Sequence, residues 1–116
     1  MPRTAVRVFP SPNAVGVHLA ERLLPRIEQS LASDNRFLLG CPTGRTPRPI
    51  YAAMARRLAE KPQSLRHLIL VMMDEYLADA GGEFEYASAN QEWSCHHFAR
   101  VEIGRASCRE RVFVGV

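Results

Sequence analysis

The sequence predicts an α/β fold with a doubly wound, mostly parallel sheet, and two observations support that prediction. Short apolar runs alternate along the chain with longer segments whose apolar residues recur at helical spacing. One run, residues 68–73 (Leu-Ile-Leu-Val-Met-Met), is continuously apolar, which is typical of a parallel strand buried on both faces. Because consecutive parallel strands are joined by right-handed crossovers, this order indicates a Rossmann-like sheet, here limited to its first strands and helices.

The first part of the chain is expected to form a strand, a helix and a second strand. Residues 5–9 alternate apolar and polar side chains and predict the first strand. After a turn, apolar side chains at every fourth position predict an amphipathic helix that closes at residues 33–35. These side chains are Val15, Leu19, Leu23, Ile27 and Leu31. Pro25 lacks a backbone donor and predicts a kink or boundary in the helix, and residues 36–40 form the second strand-like run.

The second part is expected to add two helices around the apolar strand at residues 68–73. Apolar residues at helical spacing predict a helix that ends at Lys61, and its first turn accommodates two prolines because a missing N–H costs little there. Residues 78–87 are interpreted as an acidic, glycine-containing loop. Ser88 and Gln91 have the spacing of a capping box and predict a third helix that runs to about Arg100.

Charge and cysteine content exclude several classes of function. The net charge is +3, but it falls to +1 when residues 104–116, with three arginines and one glutamate, are set aside. Because no basic stripe with interleaved aromatic residues is present, nucleic-acid binding is not expected. No segment approaches the roughly 20 apolar residues of a membrane span, so no membrane partner is expected either. The three cysteines form no C-x-x-C pair, and we expect a cytoplasmic protein without a metal site.

The end of the chain differs in character from the rest. Residues 103–112 resemble the translation of a short sequencing adapter read in one frame. We therefore interpret residues 1–102 as the N-terminal part of one domain and residues 103–116 as a non-native tail that should be excluded from fold reasoning. The alternative is a short basic loop followed by a strand at residues 112–114.

Two features are expected at the carboxyl ends of strands, where open parallel sheets bind ligands. Between the second strand and the second helix, residues 40–46 (Gly-Cys-Pro-Thr-Gly-Arg-Thr) offer free N–H groups, two threonine hydroxyls and Arg45. This composition suits a phosphate cradle, although it is not a Walker A loop. A tight turn with Thr46 as the N-cap of the helix explains it equally well.

The second feature is the pair Asp74 and Glu75, which directly follows the apolar strand. A carboxylate that emerges from a buried strand into a crevice is able to act as a general base, because partial desolvation raises its basicity. Alternatively, Asp74 caps a turn and Glu75 is solvated. The spacing alone favours this second interpretation.

Taken together, the two features resemble one family. Residues 37–47 (Phe-Leu-Leu-Gly-Cys-Pro-Thr-Gly-Arg-Thr-Pro) are similar to the phosphate loop L-G-L-P-T-G-[GS]-T-P of glucosamine-6-phosphate deaminases. Residues 73–76 (Met-Asp-Glu-Tyr) resemble the M-D-E-Y motif of that family at a similar separation, and residues 86–98 weakly resemble its S-Y-x-x-F segment. The resemblance covers most of residues 5–102.

The resemblance implies a role for each matching residue. Thr43, Gly44, Arg45 and Thr46 would hold the 6-phosphate of an amino sugar. Asp74 would be the base that moves a proton between C2 and C1 through an enolamine, with Glu75 supporting the site. The products would be a ketose phosphate and ammonia, without a metal or organic cofactor. The partner would be a small sugar phosphate, and a homo-oligomer of the full-length protein stays open.

The sequence also departs from the family pattern. Arg45 replaces a small residue, and Ser88-Ala89-Asn90 lacks the tyrosine of the S-Y-x-x-F segment. The motif G-x-x-G-H-x-A, with the ring-opening histidine, is absent, so the chain taken literally is expected to be inactive. Two alternatives remain: a 6-phosphogluconolactonase, disfavoured because Tyr76 follows Asp-Glu, and a non-catalytic sugar-phosphate sensor, disfavoured by Asp74.

Overall fold

The computed structural model describes residues 3–88, 90–103 and 111–114. Helices and strands alternate through most of this length. In chain order they are α1 (Pro12–Ala32), β1 (Phe37–Cys41), α2 (Arg48–Glu60), β2 (Leu68–Met72), β3 (Leu77–Asp79), β4 (Phe84–Tyr86), α3 (Cys95–Phe98), a π-helical turn (Ala99–Ile103) and β5 (Arg111–Val114).

The main sheet is parallel and has the strand order β1-β2-β5. Phe37 lies opposite Leu68 and Cys41 opposite Met72, so β1 and β2 end at the same level. The segment β1-α2-β2 is therefore the βαβ unit that the alternation of apolar runs predicts, and the α/β, Rossmann-like fold class is confirmed. Both strands lie within one residue of their predicted bounds.

The helix α1 is continuous from Pro12 to Ala32 with Pro25 inside it, so of the two predicted alternatives the boundary is wrong and the kink stays a prediction. Ser11 is its N-cap, and its side chain accepts from the N–H of Ala14 at 3.1 Å. At its other end Asp34 takes a positive φ of 55°, and the Asn35 N–H donates to the Ser30 carbonyl at 2.8 Å. The helix closes where the polar residues predict it.

The core lies between α1, α2 and the sheet. Ile27 of α1 and Met72 of β2 are fully buried, and Leu58 of α2 and Leu70 of β2 pack in the same cluster. The two helices approach closely at Gly16, where an added Cβ would lie 2.3 Å from the carbonyl oxygen of Pro49. Glycine is therefore required at this helix crossing because any side chain would meet the backbone of α2.

Two predictions made from the sequence are wrong: the strand at residues 5–9 and the loop at residues 78–87. Residues 5–9 form no strand, and Val6 and Val8 are 82% and 90% exposed. An alternating pattern makes a strand only where a neighbouring strand accepts its hydrogen bonds, and none pairs with this segment among the described residues. The acidic loop at residues 78–87 instead contains the antiparallel hairpin β3-β4, which turns at Gly81 and Gly82 with φ of 74° and 99°.

The third helix begins six residues later than predicted. The Ser88 side chain accepts from the N–H of Asn90 at 3.2 Å, and this local turn competes with a helix start. Ser94 is the N-cap instead, and its Oγ accepts from the N–H of His97 at 2.8 Å. The capping box predicted from Ser88 and Gln91 is therefore wrong.

The terminal segment is described only in part. Residues 111–114 form β5, which runs parallel to β2, with Ile69 opposite Arg111 and Met72 opposite Val114. The strand expected at residues 112–114 by the alternative interpretation is present, whereas residues 104–110 lie outside the described residues. The non-native origin of residues 103–116 stays a prediction. No helix within the described ranges is long and apolar enough to cross a membrane.

Candidate active site

Two loops leave the same edge of the sheet from neighbouring strands. Because Cys41 lies opposite Met72 in parallel register, residues 42–47 and residues 73–76 begin side by side. This edge is the carboxyl end of both strands, where open α/β sheets bind ligands. The topology therefore brings the predicted phosphate loop and the Asp74-Glu75 pair together.

The phosphate loop is anchored at its start and needs glycine at its centre. The Tyr51 hydroxyl donates to the Pro42 carbonyl at 2.7 Å, which ties the loop to α2. Gly44 has a φ of 94°, a backbone conformation that residues other than glycine rarely adopt. Thr43 is half-buried, whereas Gly44, Arg45 and Thr46 are exposed to solvent. The loop thus presents its predicted phosphate ligands on an accessible surface.

The N-terminus of α2 contributes less to this loop than its sequence predicts. Pro47 is the N-cap, no side chain caps the helix, and Thr46 does not act as the cap. The N–H of Arg48 donates to the Arg45 carbonyl at 3.3 Å, and the N–H of Ile50 donates to the Pro47 carbonyl at 2.9 Å. Since Pro49 has no N–H, an anion at this site would depend on the loop residues themselves.

Glu75 is held by backbone donors from two segments. Its Oε1 accepts from the N–H groups of Tyr76 and Cys95 at 2.8 Å each, and its Oε2 accepts from the N–H of His96 at 2.8 Å. Partial burial pushes the pKa of Glu75 up, but the N–H donors of Cys95, His96 and Tyr76 together push it further down, so the net pKa is lowered. Both oxygens are engaged at the start of α3, so Glu75 links this helix to the segment that follows β2.

Asp74 is exposed, and one thiol reaches it from α3. The Cys95 Sγ lies 3.7 Å from Asp74 Oδ1, and the Thr43 side chain lowers the pKa of the same thiol. Burial, followed by the charges of Asp74 and Glu75, raises the pKa of the Cys95 thiol to about 11. Cys95 is therefore a neutral S–H group at physiological pH, placed between the phosphate loop and the predicted base.

Sequence reasoning missed Cys95, although a signal for it was present. The spacing of the family's S-Y-x-x-F segment is met by Ser94-Cys95-His96-His97-Phe98, with cysteine at the tyrosine position. In the structure Ser94 is the N-cap of α3, and the Phe98 ring packs edge-on against Tyr51 at a centroid distance of 6.2 Å. The start of α3 therefore favours residues 94–98 over Ser88 as the counterpart of this segment.

Arg48 of α2 contacts both α3 and the π-helical turn. The Arg48 guanidinium lies 5.7 Å from the centre of the Phe98 ring, and its Nε is 3.6 Å from Glu102 Oε1. Cys41, the last residue of β1, is fully buried, and burial raises the pKa of its thiol to about 11, so this thiol is also neutral. Within the described part of the chain, no three His, Cys, Asp or Glu side chains group as metal ligands.

Two known proteins are similar in sequence to this chain. The chain is 30% identical over 78 residues to the glucosamine-6-phosphate isomerase of Candida albicans and 33% identical over 75 residues to the glucosamine-6-phosphate deaminase of Cronobacter sakazakii. These matches cover 67% and 62% of this chain but only 30% and 28% of the relatives. No family model matches the chain.

A solved structure has a fold similar to that of this chain. A monomeric glucosamine-6-phosphate deaminase of the NagB superfamily aligns with 90% of this chain and 39% of its own length, with a TM-score of 0.66 and 20% identity. At that identity the alignment shows the fold alone. The chain thus shares the fold of this deaminase, and its sequence similarity to the two relatives relates it to the glucosamine-6-phosphate isomerase/deaminase family; it spans 30% and 28% of the lengths of those relatives.

Proposed function

We propose that this chain is the N-terminal part of an aldose–ketose isomerase/deaminase that converts glucosamine 6-phosphate to fructose 6-phosphate and ammonia. The observation that carries the proposal is the adjacency of the loop at residues 42–47 and Asp74 at the carboxyl ends of two neighbouring parallel strands. The names of the two sequence relatives supply the substrate class.

The phosphate end of the substrate is assigned to the loop. Thr43 and Thr46 offer hydroxyl groups, Gly44 allows the backbone to approach an anion, and Arg45 adds a positive charge from an exposed position. Arg45 stands where the family has a small residue, and its exposure leaves the guanidinium able to reach a bound phosphate. The loop would hold the sugar so that its reacting carbons lie over the neighbouring strand.

The proton transfer is assigned to Asp74. In the isomerisation its carboxylate takes the proton from C2 of the open-chain amino sugar and returns it to C1 through an enolamine. Asp74 is exposed and therefore accessible to substrate, whereas the carboxylate oxygens of Glu75 are engaged by backbone N–H groups. We assign ring opening to no residue of this chain, and the chain alone is expected to be inactive.

The remaining parts of the proposal concern partners and setting. The full-length protein is proposed to be cytoplasmic, to act on a small sugar phosphate and to need no metal or organic cofactor. It is proposed to bind neither nucleic acid nor membrane, and a homo-oligomer of the full-length protein stays open.

Turnover by the full-length protein that contains this chain tests the proposal. Ammonia release from glucosamine 6-phosphate is measured beside hydrolysis of 6-phosphogluconolactone, for the wild type and Asp74→Asn. We expect deamination alone, reduced at least about 100-fold by the substitution, because a positioned general base contributes roughly 10²–10⁴-fold. Asp34→Asn is the matched control, since Asp34 is exposed at the end of α1 and asparagine tolerates its φ of 55°.

Other outcomes would replace the proposal. Hydrolysis of the lactone without deamination would identify a lactonase. Binding of glucosamine 6-phosphate without turnover of either compound would identify a sensor. Full deaminase activity in Asp74→Asn would show that the base has been assigned to the wrong residue.

A further inference from the structure

One buried side chain contacts each part of the candidate site. Cys95 is 3% exposed, its Sγ lies 3.7 Å from Asp74 Oδ1, and the Thr43 side chain lowers the pKa of its thiol. Its N–H donates to Glu75 Oε1 at 2.8 Å. The predicted phosphate ligand, the predicted base and the supporting carboxylate therefore meet at a single residue that sequence reasoning did not select.

We propose that Cys95 is a positioning residue that orients the Asp74 carboxylate and couples it to the phosphate loop. This inference rests on the proposed isomerase/deaminase function. The thiol donates its S–H to Asp74 Oδ1, which leaves Oδ2 to accept the proton of the substrate. The Thr43 side chain lowers the pKa of the same thiol, and we assign to its hydroxyl the contact with the sulfur that would link the position of the loop to that of the base.

The position of the thiol is fixed by the start of α3. Ser94 caps this helix through its side chain, and Glu75 accepts from the N–H groups of Cys95 and His96. Because Glu75 directly follows Asp74 in the chain, the same hydrogen bonds hold the base and the helix together. A buried side chain on such a braced segment has few alternative rotamers, so the thiol remains directed at Asp74.

The chemistry of the thiol suits orientation rather than proton transfer. Burial and the two neighbouring carboxylates raise the pKa of Cys95 to about 11, so the sulfur keeps its proton at neutral pH. A neutral donor stabilises one orientation of the Asp74 carboxylate without neutralising its charge. Its loss would misplace the base in the transition state more than it would weaken the binding of the phosphate group.

Steady-state kinetics of the full-length protein test this role. Cys95→Ala removes the donor, and we expect kcat for deamination of glucosamine 6-phosphate to fall about 10-fold while KM changes less than about twofold. Cys95→Ser restores a donor on a slightly shorter side chain, so its kcat is expected to lie between those of Cys95→Ala and the wild type. Ile27→Val, which removes one fully buried methyl group on α1, is the control for lost packing and is expected to keep the wild-type kcat.

The possible failures are distinguishable. If the wild type does not turn over glucosamine 6-phosphate, both the proposed function and the role of Cys95 in it are overturned. If the wild type is active and Cys95→Ala has an unchanged kcat, or if Cys95→Ser is as slow as Cys95→Ala, only the role of Cys95 is overturned. Should Cys95→Ala fail to fold, Cys95→Val, which also lacks a donor, replaces it: a kcat about 10-fold below that of the wild type supports the role, and an unchanged kcat contradicts it.

Discussion

The hydrogen bonds of Glu75 make a strong prediction about stability. Its carboxylate accepts one N–H from its own neighbour Tyr76 and two from the start of α3, 20 and 21 residues later in the chain. Glu75→Gln removes the charge and replaces one acceptor oxygen with an NH₂ group that is unable to accept. Glu75→Ala removes both oxygens and leaves the N–H groups of Cys95 and His96 without this acceptor.

The expected magnitude follows from the number and kind of bonds. A hydrogen bond to a charged group contributes about 1.5–3 kcal/mol, and the half-buried position of Glu75 allows water to replace part of what is lost. We therefore expect Glu75→Gln to lower the free energy of unfolding by about 1–3 kcal/mol and Glu75→Ala by about 2–4 kcal/mol. With a urea slope of about 1–1.5 kcal/mol per molar, the midpoint would fall by roughly 0.7–3 M for Glu75→Gln and roughly 1.3–4 M for Glu75→Ala.

Urea unfolding of the chain, followed by far-ultraviolet circular dichroism at one protein concentration, measures these changes. Glu85→Gln on β4 is the matched control, because Glu85 is exposed and the chemical change is the same. We expect the control to shift the free energy of unfolding by less than about 0.5 kcal/mol. If Glu75→Ala had as small an effect, the carboxylate would not hold α3 to the loop after β2.

The pH dependence has a definite sign. The pKa of Glu75 is lower in the folded chain than its ordinary value of 4.5, so the folded state favours the ionised form. The stabilisation from Glu75 is thus fully present above about pH 4.5 and is lost as the pH falls through the folded pKa. The wild type and Glu75→Gln should therefore converge in stability in acid, and a constant difference down to the lowest pH would contradict the assignment.

Three further predictions concern packing, capping and thiol chemistry. Gly16→Ala places a Cβ 2.3 Å from the Pro49 carbonyl oxygen and should lower the free energy of unfolding by about 1–3 kcal/mol in urea titrations; an unchanged midpoint would refute the close helix crossing. Ser94→Ala removes the N-cap acceptor of α3 and should cost about 1 kcal/mol in the same titration, whereas no loss would mean that the cap is dispensable. Cys41 and Cys95, both buried with pKa values of about 11, should resist iodoacetamide at pH 8 until urea is added, as peptide mass spectrometry can show; labelling of either thiol in the native chain would contradict its burial.

The sequence was sufficient to predict the βαβ unit because its signals are local. The apolar run at residues 68–73 predicts a buried strand, and the helical spacing of apolar residues from Ile50 to Leu58 predicts a helix. Each pattern lies within a short stretch of the sequence. The loop after β1 and the Asp74-Glu75 pair were placed at one sheet edge by topology alone. The roles of Thr43, Gly44, Arg45, Thr46 and Asp74 remain predictions that rest on the family resemblance.

The parts of the fold that were not predicted from the sequence depend on contacts between residues that are far apart in the chain. The strands β3 and β4 have three residues each, and their side chains are largely exposed, so no alternation of burial marked them. The Gly81-Gly82 turn was the one local signal for this hairpin. Residues 5–9 show the opposite error, since their alternation is clear but no strand of the described chain pairs with them.

The role of Cys95 was hidden for the same reason. Its contacts with Asp74 and Glu75 join residues 21 and 20 positions apart, and the start of α3 is held by the Glu75 carboxylate as well as by Ser94. Ser88 and Ser94 are both residues that favour a helix start. The contact between Glu75 and residues 95–96 favours the start at Ser94. The S-x-x-x-F spacing from Ser94 to Phe98 would have favoured the correct start.

The central claim is that Asp74 moves a proton between C2 and C1 of a sugar phosphate held by the neighbouring loop. The most direct measurement is deuterium incorporation at C1 of fructose 6-phosphate, followed by proton NMR in D₂O with ammonium, for the full-length protein and its Asp74→Asn variant. We expect the wild type to incorporate deuterium and the variant to do so at least about 100-fold more slowly. Equal rates of incorporation in the two proteins would contradict the assignment of Asp74 as the base.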